Sequence, residues 1–148
     1  MIEEAKKTAI ENGIGENIFF TGYVSEHRKL QLLKQSRVFL FPSYAEGWSI
    51  SIAEAMASGL PVVAYDLPIY KEIFDGRLVT VPIGNTKAMS AKVRFLLENP
   101  EVSSKMGETN RGFVGRYDWT AVAEGELAAI VGVLTLRGAT NRHRSKAS

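Results

Sequence analysis

A chain of 148 residues, 45% hydrophobic and 23% charged, has the length and balance of one globular domain with a substantial core. It has no cysteine, which excludes disulfides and thiolate metal sites. The net charge of +2 is unevenly placed: four of the 18 lysines and arginines lie in the acid-free segment 137–148, leaving 14 bases against 16 acids before it.

The opening MIEEAKKTAI is charged and carries no apolar core of a secretory signal. IEEAKKTAIENG has the pattern of a helix closed by Gly13. NIFFTG (17–22) reads as a strand ending in a glycine turn. SEHRKLQLLKQS (25–36) places Ser25 as N-cap of a helix with Leu30 and Leu33 at helical spacing. RVFLFPS (37–43) is a second strand stopped by Pro42, and SISIAEAMASG (49–59) a helix closed by Gly59. PVVAYD (61–66) and GRLVTV (76–81) supply two further strands.

The rest is helical. Asn85 caps a helix carrying Met89, Val93 and Leu96. Asn99 caps the next, with Pro100 at its first position, where a missing N–H costs nothing. Gly107, Gly112 and Gly115 weaken that second helix, and a last one is expected from about Trp119 to Leu136. Continuous apolar strands separated by helices predict an α/β domain, a parallel sheet covered on both faces. The longest apolar run, LAAIVGVL (127–134), is well short of the ~20 residues of a membrane-spanning helix. Residues 137–148 have the composition of a solvated, disordered tail.

In an open parallel sheet, ligands bind beyond the carboxyl ends of the strands. The stretch EGWSISIAE (46–54) lies there, with Glu46 past the strand and Glu54 in the following helix. Gly47 allows a tight turn, and the free amides near Trp48 to Ile50 attract phosphate. Glu54 suits a ribose diol, and Glu46 suits sugar hydroxyls or the charge that develops as a glycosidic bond breaks. A plainer reading competes: Ser51-Ile52-Ala53-Glu54 fits a capping box, with Glu46 an exposed loop acid.

The wider segment FPSYAEGWSISIAEAMASGLPVVAYDLPIYKEIF (41–74) resembles the donor-binding segment of retaining glycosyltransferases of family 4, enzymes of the two-domain GT-B architecture. The likeness lies in the PS before Glu46, the EG, the two glutamates eight positions apart, EAMA, and G-x-PVVA. Weaker likeness extends through ENIFFTGYVS (16–25) and YDWTAVAE (117–124). The resemblance implies that Glu46 contacts the donor sugar and Glu54 the nucleotide ribose. Gly47, Trp48, Ser49 and Ile50 would then follow the diphosphate and sugar, with Tyr23 and Val24 bordering the nucleobase. It implies no bound metal, and the isolated His27 and His143 are expected at the surface.

The family usually carries glycine where this chain has Ser49, and an acid is common where it has Arg37. Asp66 and Glu72 read as structural or loop acids. The resemblance makes residues 1–136 a partial GT-B C-terminal nucleotide-sugar-binding domain that needs an N-terminal acceptor domain or a partner chain. In the family's strand order, 3-2-1-4-5-6, two strands separate NIFFTG from RVFLF, so their absence leaves open sheet edges or forces a new pairing. The expected function is hexosyl transfer from a UDP-, GDP- or ADP-sugar with retained configuration, this chain supplying only the donor side. A cytoplasmic location is implied, with the basic tail free for peripheral membrane contact and no nucleic-acid partner. Two alternatives stay open, a non-catalytic nucleotide-binding scaffold and a nucleotide-sugar epimerase of GT-B architecture.

Overall fold

The computed structural model describes residues 2–118, 120 and 122–132. These form two compact units that divide between Leu32 and Leu33. Residues 122–132 are helical, while Trp119, residues 133–136 and the basic tail lie outside the described residues.

The first unit opens with α1 (Ile2–Glu11), whose exposed face carries the ion pairs Lys6–Glu3 at 2.8 Å and Lys7–Glu11 at 3.8 Å. Its end is closed as the sequence predicts. The Gly13 amide donates to Ile10 O at 2.9 Å, and that of Ile14 to Ala9 O at 3.0 Å, the paired bonds of a Schellman cap. A 3₁₀ turn follows over Gly15–Asn17. The expected strand NIFFTG does not form. Its first residue belongs to that turn, and residues 18–22 pair with no other strand. An extended segment without a ladder partner gains none of the cross-strand contacts that stabilise a strand, and Phe19 is 86% exposed. Ser25 caps α2 (Glu26–Gln35) as expected, its Oγ accepting the Arg28 amide at 3.3 Å.

The second unit is built on a parallel three-stranded sheet of order β1-β2-β3. Its strands are β1 (Phe39–Phe41), β2 (Val62–Tyr65) and β3 (Val79–Val81), shorter than the apolar runs that contain them. Phe39 pairs with Val62 and Val63 with Val79. The central strand, Val-Val-Ala-Tyr, is buried throughout. Alternation sends Val62 and Ala64 to one face and Val63 and Tyr65 to the other. The first face packs against α3 (Ile50–Ala57), α4 (Pro68–Phe74) and α6 (Pro100–Val114), through Ile52, Met56, Phe74 and Phe113 among others. The second meets Met89 and Leu96 of α5 (Thr86–Glu98).

Helix ends follow local chemistry. The Asn85 side chain accepts the Ala88 amide at 2.9 Å, capping α5 as predicted. Asn99 behaves otherwise: its Nδ2 donates back to Phe95 O at 2.8 Å, closing α5, while α6 starts with no side-chain cap. The glycines of α6 do not interrupt it. Helix α4 was not anticipated, although Pro68 at its start and Ile69, Tyr70, Ile73 and Phe74 at helical spacing are visible signals. Glu72 lies exposed on it, and Asp66 lies exposed beside β2. Arg37, unaccounted for in the sequence, donates to Leu97 O at 2.9 Å in the last turn of α5, where a cation suits the helix dipole.

Candidate functional site

The segment joining β1 to α3 carries the predicted chemistry. Ser43 Oγ donates to Ala45 O at 3.0 Å, tightening the first part of the turn. Tyr44 then lays its ring 5.3 Å from Tyr65 at the end of β2. Glu46 is half-buried. An added Cβ at Gly47 would meet nothing within 4 Å, so that backbone is open to approach. Trp48 packs 6.2 Å from Phe74 and edge-on, at 5.1 Å, to Tyr117. Tyr117 is held in turn by donating to Ile73 O at 3.1 Å.

The turn itself is made by Ser49, not by Gly47. Ser49 has φ 62° and ψ 65°, a left-handed conformation that costs a residue with a side chain about 1–2 kcal/mol. This is the position where the resemblance expects glycine, and the backbone supplies the reason. Ser49 is 7% exposed, and its Oγ donates to Glu46 Oε2 at 3.0 Å. It precedes α3 as N-cap residue, but its side chain makes no capping bond.

This arrangement excludes the capping box. Ser51 is already inside α3, and Glu54 sits in the middle of the helix rather than at its third position. The Ser49 carbonyl receives the amides of Ile52 and Ala53 at 3.0 and 3.3 Å. The amides of Ile50 and Ser51, which directly precede them, have no acceptor within the helix. Glu54 is half-buried one turn further on. The turn thus gathers Glu46, Ser49 and the start of α3 together. Tyr23 and Val24 belong to the first unit, where Tyr23 is 99% exposed and Val24 half-buried.

Sequence reasoning missed Tyr70. Its side chain, on α4, is 2% exposed, and its hydroxyl has no hydrogen-bond partner. Burial raises its pKa above 10.0; the Ser49 hydroxyl opposes that shift and the Glu46 charge reinforces it. Burial also raises Tyr65, with Tyr44 adding to the effect. Both phenols are therefore favoured uncharged in the fold. Their contribution to stability is intact below pH 10.0 and is lost as pH climbs through the raised folded values. Urea unfolding above and below pH 10 checks this: Tyr70→Phe is expected to lose less stability at alkaline pH than the parent chain.

A parallel sheet covered on both faces, with an acid-bearing turn at the carboxyl end of a strand, defines an α/β domain of ligand-binding type. The chain belongs to the family of glycosyl transferases group 1, whose model matches residues 2–113. It is 32% identical over 124 residues to the phosphatidyl-myo-inositol mannosyltransferase of Mycobacterium leprae, covering 82% of this chain and 33% of that protein. To the MMP alpha-(1->4)-mannosyltransferase of Mycolicibacterium hassiacum it is 31% identical over 129 residues, covering 83% and 31%. Sucrose-phosphate synthase from Thermosynechococcus elongatus has the same fold, with a TM-score of 0.77 and 22% identity over 89% of this chain and 34% of that one. The chain thus spans about a third of the length of these relatives. Among the described residues no helix is long and apolar enough to cross a membrane.

Proposed function

We propose that this chain supplies the nucleotide-sugar side of a retaining glycosyltransferase and transfers no sugar on its own. Glu46 faces the sugar, Glu54 holds the ribose hydroxyls, and the backbone of Gly47, Trp48, Ser49 and Ile50 follows the diphosphate and sugar. The observation that carries this reading is the Ser49 turn. It ties the Glu46 carboxylate to Ser49, the residue that precedes α3, so that an acceptor for sugar hydroxyls and the opening amides of α3, donors for phosphate, share one turn. Family membership supports the same reading, and the mannosyltransferase relatives favour a hexose as the transferred group.

A binding panel of UDP, GDP, ADP and their hexose conjugates tests it. One nucleotide is expected to raise the melting temperature, and Glu54→Ala to weaken its binding by about 1–3 kcal/mol. Ser51→Ala is expected to leave that binding unchanged. No response to any nucleotide would favour a scaffold. Conversion of a nucleotide sugar without an acceptor would favour an epimerase, and sugar transfer by these 148 residues alone would refute the half-site reading.

A further inference from the structure

Ser49 holds a conformation that glycine adopts freely, yet it keeps a side chain there and spends its hydroxyl outside the helix it precedes. That hydroxyl engages one oxygen of Glu46, Oε2, at 3.0 Å. Among the described residues no second hydrogen bond or ion pair to the Glu46 carboxylate is found, so Oε1 remains available.

We propose that Ser49 is a positioning residue that sets donor specificity: it locks Glu46 Oε2 so that Oε1 meets the sugar. The site then selects a nucleotide sugar over the bare nucleoside diphosphate, because only the sugar uses the oriented carboxylate. An unrestrained carboxylate would lose rotamer freedom on each binding event, and the Ser49 bond removes that cost in advance. This inference rests on the donor site proposed above.

The two roles open to Ser49 are separable, because glycine and alanine act differently on the backbone and alike on the hydroxyl. Ser49→Gly relieves the left-handed strain, whereas Ser49→Ala keeps it, and both delete the donor. The experiment uses the 148-residue chain and measures two things, melting temperature and calorimetric affinity for UDP, GDP, ADP and their hexose conjugates. The expected result is a higher melting temperature for Ser49→Gly than for Ser49→Ala, while both variants lose preference for the sugar conjugate by about five- to tenfold. Affinity for the bare diphosphate is measured beside it in every variant, so that a change at the backbone amides is separated from a change in preference.

A preference unmoved in both Ser49 variants overturns the inference while leaving the donor site standing. Failure of the unsubstituted chain to bind any nucleotide overturns the donor-site reading, and the inference with it. Because the left-handed φ favours glycine, Ser49→Gly is the variant that keeps the fold if Ser49→Ala does not.

Discussion

Gly107→Ala is expected to destabilise the second unit, although alanine is the better helix former. A Cβ added to Gly107 would overlap the carbonyl of Gly59, where α6 crosses the end of α3. The obstacle is backbone, which cannot rotate away, so the cost falls at the upper end of the ~1–3 kcal/mol typical of overpacking. The helix-propensity gain of about 1 kcal/mol offsets only part of it. Gly112 supplies the control. It lies exposed on the same helix, an added Cβ there meets nothing within 4 Å, and Gly112→Ala is expected to stabilise by roughly 0.5–1 kcal/mol. Urea denaturation of the two variants should therefore move the midpoint in opposite directions. Equal shifts would show that α3 and α6 do not approach as closely as the structure places them.

Phe74→Ala carries the largest expected loss. The Phe74 ring is wholly buried and stands 6.0 Å from Tyr70 and 6.2 Å from Trp48. Truncating a buried phenylalanine to alanine costs about 3–5 kcal/mol, a large share of the ~5–15 kcal/mol that holds a typical domain folded. The loss also reaches the turn, because Trp48 follows Gly47 and precedes Ser49, and its ring rests on Phe74 and Tyr117. The expected observation is a lower denaturation midpoint together with red-shifted Trp48 emission. Phe74→Leu, which keeps most of the volume, should recover more than half of the stability. An Ala variant as stable as the parent would mean that the cavity collapses without cost, against the close packing of this face.

The parts legible in the sequence are those written by local chemistry. Ser25 and Asn85 announce the helices they cap, and Gly13 and Gly59 close theirs because a left-handed residue must follow the last turn. The β2 run PVVAYD was plain because a central parallel strand is apolar on both faces. NIFFTG has the same apolar look and fails, because a strand depends on a neighbour that periodicity does not reveal. Gly107 reads as a weakness for a similar reason: its contact, Gly59, lies far away in sequence. Of the site, the two glutamates and the turn were visible in their spacing. The left-handed Ser49 and the buried Tyr70 are not, since neither a single backbone dihedral nor the packing of α4 is written in residue spacing.

The contact of α6 with the end of α3 also governs how the turn can move. Gly107 lies against the Gly59 carbonyl, and the buried Asn110 donates its Nδ2 to Leu60 O at 2.9 Å, one residue later. Helix α3 has only eight residues, about 12 Å of length. It is a short strut clamped at its carboxyl end and loaded at its amino end. Such a strut has little freedom to slide along its axis, and the turn it carries is itself tied down, by Tyr44 against Tyr65, by Trp48 against Phe74 and Tyr117, and by Ser49 to Glu46, so both ends of the helix are held in place.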